Sequence, residues 1–445
     1  MSADEAIARR AAHGSLWTAA GMVSSTVALF AANGLVVAQA PTHVFADMVV
    51  LTMSMMVLGT VFRVGTDRIF VGEVHSAEVA DGREAARARG GGLLAGACVL
   101  AGGGALLLLT PVLARPIDLA LTDDLGTGER FLLAGWLVSD VVRIVVSEAH
   151  RSGQRFRLAA ACGYGLRNPL FLLFVLLAAL LPGDLDRSQV IGAAAAGSGV
   201  VLVLALVTIS DVFAWWCHSP LAALRHSGRG HAAMLVTTLT GALIGASDVW
   251  IVGATSGPGA TARYGFCVTL AAGIALLSTA VNGGLSPYLA RALAARESGP
   301  IVALVHRYVR ITSAAAFVLY LALVLLAEPV AVLLGGEDYR GVTPLIAILA
   351  AGQVLSTAAG LSGYVLTLGR RYVHVAVVTA SVAALAVAGE AIAGFGWSSA
   401  IGVAVVSGLA TAALPLTNNI ISLRVMGIRT DIFAPHQKGP SRWAS

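Results

Sequence analysis

The stretch Val190–Ile209, VIGAAAAGSGVVLVLALVTI, runs for 20 residues without one charged side chain. As an α-helix it would be about 30 Å long, the thickness of the hydrocarbon core of a bilayer. The same pattern recurs along the chain. Eleven further spans are read at Leu16–Ala38, Phe45–Val71, Leu93–Ala114, Phe131–Val146, Leu158–Leu181, Ala233–Ala254, Tyr264–Ser286, Ile311–Ala327, Pro344–Leu368, Tyr372–Phe395 and Trp397–Leu423. The runs are continuously apolar and too long for tilted strands, so they are helices and not a barrel. Mean hydropathy is +0.82 and only 12% of residues are charged, a composition that a soluble domain of this size could not bury. The chain reads as an all-α polytopic membrane protein with twelve transmembrane helices.

Orientation follows from the arginines. The gaps between spans alternate, and one face of the membrane collects 20 Lys and Arg against 5 on the other. The positive-inside rule then places both termini in the cytoplasm of a multi-pass protein of the inner (cytoplasmic) membrane. The first span follows Arg9 and Arg10, is long, and lacks a small-x-small cleavage site, so it reads as a retained helix and not a cleaved signal peptide. The net charge of +5 is a topogenic bias. No basic patch extends beyond loop length, so nucleic acid is not an expected partner.

Other chemistries fall away in turn. Cys98, Cys162, Cys217 and Cys267 are far apart and form no CxxC or Cys/His cluster, which disfavours a disulfide framework and a metal site. The single lysine, Lys438, sits in the tail, so there is no P-loop. HExxH and GxSxG are absent. The longest outer gap, Arg115–Arg130, offers Asp118, Asp123, Asp124 and Glu129, which read as a solvated loop and not as a catalytic one. The chain is not expected to be an enzyme or to carry a cofactor.

The twelve spans divide as six plus six. The polar stretch 218–231, preceded by Trp215 and Trp216, reads as a cytoplasmic linker between an amino-terminal lobe (1–217) and a carboxyl-terminal lobe (232–445). A weak internal repeat supports the division. Ser24-Ser25-Thr26, then Phe45-Ala46-Asp47 opening a long helix, corresponds to Gly245-Ala246-Ser247-Asp248, then Arg263-Tyr264-Gly265. With six spans per half the lobes share orientation, which implies two parallel six-helix lobes in a V with a central cleft.

At this level the chain resembles the MOP flippase superfamily, and within it the Wzx-like polysaccharide and lipid-linked oligosaccharide exporters. The resemblance rests on Ala262-Arg263-Tyr264-Gly265 after an intramembrane Asp248, on Ser286-Pro287-Tyr288-Leu289-Ala290, and on Leu334-Gly335-Gly336-Glu337-Asp338-Tyr339. It rests also on Gly360–Leu368 followed by Gly369-Arg370-Arg371, and on Gly14-Ser15-Leu16-Trp17. The usual motif before span two is degraded to Gln39-Ala40-Pro41-Thr42-His43-Val44-Phe45-Ala46. The resemblance implies export of a lipid-linked glycan, undecaprenyl-diphosphate-linked, from the cytoplasmic to the outer leaflet by alternating access. It implies membrane lipids and glycan polymerase or glycosyltransferase proteins as partners. A small-molecule or multidrug antiporter of the same superfamily is the alternative, and a non-transporting scaffold is a third.

Ionisable groups inside spans are costly and are therefore the candidate functional residues. Arg63, Arg143 and Arg167 are candidates for holding a diphosphate headgroup, since guanidinium presents a fork of donors to such anions. Asp67 lies four residues from Arg63, and Asp140 three from Arg143, so the two pairs also read as intrahelical ties. Asn168-Pro169 predicts a kink beside Arg167. In the second half Asp248 has no evident partner on its own helix and is the candidate for the coupling ion, while Glu390 lies nearer the outer end of span eleven.

Overall fold

The computed structural model describes residues 3–153, 155–209, 228–294, 298–369 and 371–433, and among them there is no strand. The amino-terminal helices are α1 (Ala3–Gln39), α2 (Thr42–Arg63), α3 (Thr66–Asp81), α4 (Arg83–Leu108), α5 (Pro111–Asp118), α6 (Thr127–Ser152), α7 (Phe156–Ala160), α8 (Arg167–Ala179) and α9 (Arg187–Ile209). They are followed by α10 (Gly228–Ile244), α11 (Ser247–Ala294), α12 (Ser298–Gly335), α13 (Thr343–Ala358), α14 (Ser362–Leu368), α15 (Tyr372–Ala391) and α16 (Ala400–Met426). Helices dominate because a backbone in hydrocarbon must satisfy its own donors and acceptors within the segment.

Among the described residues eight helical stretches are long and apolar enough to cross a membrane, and the pair Phe156–Gly165 and Arg167–Ala179, bent by 46°, makes a ninth. The stretch Ala232–Thr279 counts there as one but is interrupted at Gly257 (φ 77°, ψ 172°). α6 carries Asp140 and Arg143 mid-helix and is too polar to qualify on composition, and α13 has only 16 residues.

Several expected spans are interrupted, span three at Leu109-Thr110 and span seven at Gly245-Ala246 among them, and three of the breaks have a clear local reason. Span two, read as continuous over Phe45–Val71, ends as α2 at Arg63; Val64 (φ 48°) and Gly65 (φ 69°) turn left-handed before α3 begins. Span five widens into a π-turn at residues 161–165, just ahead of Asn168-Pro169, so the expected proline kink takes the form of a π-bulge before the proline. Span ten stops at Ala358 and resumes at Ser362, with Gly360 at φ 86°.

The chain forms two compact units. One holds residues 17–242 and 257–262; the other holds the described parts of 1–16, 243–256 and 263–445. The expected linker at 218–231 lies outside the described residues except for its last four, which open α10. Within the amino-terminal unit α6 is central and packs against α2, α3, α4, α7 and α9. Within the carboxyl-terminal unit α16 packs against α13, α14 and α15, and α12 against α13. Small residues set the closest crossings: a Cβ at Gly352 on α13 would lie 2.6 Å from the carbonyl oxygen of Gly408 on α16.

The outer surface is apolar. Leu333, Leu385 and Val318 are 83%, 74% and 66% exposed. Only 17% of the most apolar window of Val305–Leu333 is covered by protein, so lipid must cover the rest.

Candidate functional site

The first cluster lies in the amino-terminal unit, where α6 meets the opened turn of span five. Arg143 donates to Asp140 Oδ1 from Nε at 3.0 Å and from Nη2 at 2.8 Å. Its Nη1 donates to the carbonyls of Cys162 and Gly163, at 3.1 and 2.5 Å. The widened turn brings these two carbonyls within reach of the guanidinium. Its side chain is only 5% exposed. Arg143 is therefore engaged within the protein on all three nitrogens.

Arg167 opens α8, beyond that turn. Its Nε lies 3.3 Å from Asp140 Oδ1 and donates to Ser198 Oγ at 3.3 Å; Nη1 donates to Asn168 Oδ1 at 3.3 Å. Ser198 in turn donates to Asp140. Asn168 donates to the carbonyl and hydroxyl of Ser25, tying span five to span one. The guanidinium lies over the Trp136 ring, 5.3 Å from its centroid, a cation–π contact that holds its plane. Nη2 makes no hydrogen bond among the described residues, and the side chain is 22% exposed.

Arg63 and Asp67 meet across the break between α2 and α3, at 3.8 Å, and not along one continuous helix as the spacing implies. Arg63 Nη2 donates to Thr60 Oγ1 at 3.0 Å, and its Nε has no hydrogen-bond partner among the described residues. Arg63 is close enough to Asp140 for the two charges to interact. The five expected residues thus share one unit, with three guanidiniums against two carboxylates.

The second cluster lies in the carboxyl-terminal unit. The helix breaks between Ile244 and Ser247, which puts Asp248 in the first turn of α11. The start of a helix favours a carboxylate. Asp248 Oδ1 accepts the Val249 N–H at 2.8 Å, and Oδ2 accepts Tyr264 Oη at 2.9 Å and Ser407 Oγ at 2.8 Å. Asp248 lacks a side-chain partner on its own span, as expected; its hydroxyl partners come from the next stretch of α11 and from α16, which sequence distance concealed. Ser247 Oγ donates to Glu390 Oε2 at 2.6 Å, while the buried Glu390 Oε1 has no hydrogen-bond partner among the described residues. Asp248 is 2% exposed and Glu390 0%. Glu390 sits just before a π-turn at residues 392–396, whose Gly394 packs so closely on Ile251 that a Cβ would collide with it. The pairing of Ser247 with Glu390 had no local sequence signal.

A third assembly closes the arginine-poor end of the amino-terminal unit. Arg187 donates to Glu129 through Nε (2.8 Å) and Nη2 (2.9 Å), to Asp47 Oδ2 (2.9 Å), and to the carbonyls of Asp123 and Asp124 (2.8 and 3.1 Å). Thr122 adds its N–H and hydroxyl to Asp47 Oδ1, at 2.9 and 3.0 Å. The loop read as simply solvated is pinned at Glu129 and Thr122 by this clamp.

No family model and no curated protein matches the chain. Solved structures do. A point mutant of the Vibrio cholerae MATE transporter VcmN is 16% identical, with a TM-score of 0.66 over 94% of this chain and 98% of that one. An inward-facing multidrug resistance MATE family transporter of the MOP superfamily is 14% identical, with a TM-score of 0.69 over 92% and 97%. The lipid II flippase MurJ in an inward closed conformation is 10% identical, with a TM-score of 0.70 over 92% and 87%. The fold is the one these transporters share.

Proposed function

We propose that this protein is a flippase that carries an anionic lipid-linked glycan, undecaprenyl-diphosphate-linked, from the cytoplasmic to the outer leaflet. It would reside in the cytoplasmic membrane with both termini inside. The observation that carries this reading is the charge balance of the first cluster. Arg63, Arg143 and Arg167 pair with two carboxylates, Asp67 and Asp140, and Arg167 keeps Nη2 without a hydrogen-bond partner among the described residues. An uncompensated cation in the membrane is expensive unless an anion comes to it. Arg143 supports the turn on which Arg167 stands, Arg63 adds field, and Arg167 meets the headgroup. With a negative cell interior, outward movement of an anion is favoured by about 2.3 kcal/mol per charge at 100 mV, so the protein needs mainly a polar, cationic path. Glycan polymerase or glycosyltransferase proteins are the proposed partners, because they would supply and consume such a substrate.

The second cluster supports a coupling role. Asp248 with Tyr264 and Ser407, beside Glu390 with Ser247, offers two buried carboxylates and three hydroxyls to a proton or a monovalent cation. The same acidic pair also favours the alternative, a cation-coupled small-molecule antiporter. Vesicles decide between the two. The probes are a fluorescent undecaprenyl-diphosphate oligosaccharide and an ethidium-type cation, each measured with and without sodium and proton gradients. The flippase reading expects glycan flipping that Arg167→Gln abolishes at unchanged protein level; ethidium export without flipping would replace it with the antiporter. Asp248→Asn should remove the response to the gradient, and an intact response would take Asp248 out of the mechanism. For sidedness, alkaline phosphatase activity in a fusion at Gly228 would invert the topology.

A further inference from the structure

The chain after α16 does not leave the fold. Gly427, left-handed at φ 66°, caps α16 with its N–H on the Leu423 carbonyl at 3.0 Å and turns the chain back. Ile428 is 1% exposed and packs with Val365, Leu366 and Val375. The next residues bind by polar contacts. The Arg429 carbonyl oxygen lies 3.2 Å from His306 Nε2 on α12. The Thr430 N–H and hydroxyl donate to Asn419 Oδ1 at 3.0 and 3.3 Å, and Asn419 Nδ2 donates to Asp431 Oδ2 at 2.5 Å. The Ile432 N–H donates to the Ala358 carbonyl at 3.1 Å.

That last bond identifies the seat. Ala358 ends α13, and its carbonyl is one of those a terminating helix leaves without an internal partner. The Thr430 carbonyl lies so close to Gly360 that a Cβ there would collide with it. Residues 428–432 thus occupy the notch at the break in span ten. The sequence around the notch reads as one helix over Pro344–Leu368, with Gly360, Ser362 and Gly363 the marks of an interruption. If the segment left, the Ser362 N–H could reach the Ala358 carbonyl and join α13 to α14. Ile428 is the apolar anchor; Thr430 and Asp431 are buried with it, and Arg429 pairs with Asp431 Oδ2 at 2.6 Å, so the strap holds by one apolar side chain and a compact polar set.

We propose that residues 428–432 are a releasable strap: docked, it holds span ten bent at Gly360; released, it lets α13 and α14 join into one helix and changes the arginine-rich end of this unit. The strap ties α12, α13 and α16 together, so its release changes three helices at once. The inference is independent of what is transported.

Hydrogen–deuterium exchange on the full chain in lipid nanodiscs tests it. In the unaltered protein the Thr430 and Ile432 amides should exchange at least tenfold faster than those of α16 around Asn419. Asn419→Ala should speed them further while Leu361–Gly363 become more protected. Strap amides as slow as α16 would overturn the proposal. So would faster strap exchange with no gain, or a loss, of protection at 361–363. Should Asn419→Ala fail to fold, Asp431→Asn supplies the same comparison. A disulfide between Ala358→Cys and Ile432→Cys, in a variant without the native cysteines, should slow strap exchange at least tenfold when oxidised and release it on reduction. Equal rates in the two states would count against release.

Discussion

Arg143 Nη1 donates to the Gly163 carbonyl at 2.5 Å, so a guanidinium of span four holds open the π-turn of span five. Arg167, four residues further on, takes its position from that turn and from Asp140, which Arg143 also holds. Arg143 is engaged on all three nitrogens and Arg167 on two.

Exchange of Arg143 for Gln should therefore lower stability by about 3–5 kcal/mol, the cost of stranding a buried partner. Arg167→Gln should cost clearly less while abolishing transport. Melting temperature at matched lipid content, read beside flipping, separates the two. Equal destabilisation would make Arg167 a structural residue like Arg143.

Arg63 and Asp67 stand 3.8 Å apart without a hydrogen bond between them. Their coupling in a double-mutant cycle should be smaller than that of Arg143 with Asp140, which share two hydrogen bonds. If Arg63→Gln with Asp67→Asn regains both melting temperature and full export, Arg63 is a structural partner, and its place in the headgroup site is lost.

Arg187 is the common partner of Asp47 and Glu129, whose side chains are 3% and 10% exposed. Arg187→Met leaves both carboxylates nearly buried and unpaired. A loss of about 3–5 kcal/mol is expected, together with faster proteolysis in the 119–126 loop. Arg187→Lys should recover only part of it, because one ammonium cannot reproduce the two-pronged contact with Glu129. Full recovery with lysine would reduce the clamp to simple charge.

The strap carries a pH dependence. Burial pushes the Asp431 carboxyl upward, but hydrogen bonds from Arg429, the Phe433 N–H and Asn419 outweigh it and hold the group below its ordinary value of 3.8. A carboxylate lowered in the folded state contributes stability above its unfolded pKa and loses it as pH falls through the folded one. Strap amides should thus keep their protection from pH 7 down to about 4 and lose it below. Asp431→Asn should flatten that profile; an unchanged profile would take Asp431 out of it.

Much of this was written in the sequence. Apolar run length marks the helices, and the cost of burying charge singles out Arg63, Asp67, Asp140, Arg143, Arg167 and Asp248. The fold brings the first five into one unit. What escaped is whatever depends on a break. Val64 carries no turn signal of its own, so the Arg63–Asp67 spacing reads as one helix turn. A π-turn needs one extra residue within an apolar run, and only the glycines at 163 and 165 hint at it. Asp248 reads as lone because Tyr264 and Ser407 are 16 and 159 residues away. The segment Arg429–Asp431 reads as a polar tail, since pattern alone does not show a carbonyl waiting at Ala358.

The crossing of α13 and α16 at Gly352 and Gly408 has a genetic corollary. Every single-base missense change in a glycine codon installs a Cβ, and at Gly352 that atom would meet the neighbouring backbone at 2.6 Å, where no rotamer can relieve it. This codon can drift only among its synonyms. A saturation scan scored for membrane abundance should leave position 352 nearly blank, while Gly102 and Gly103, which have nothing within 4 Å, should accept alanine freely.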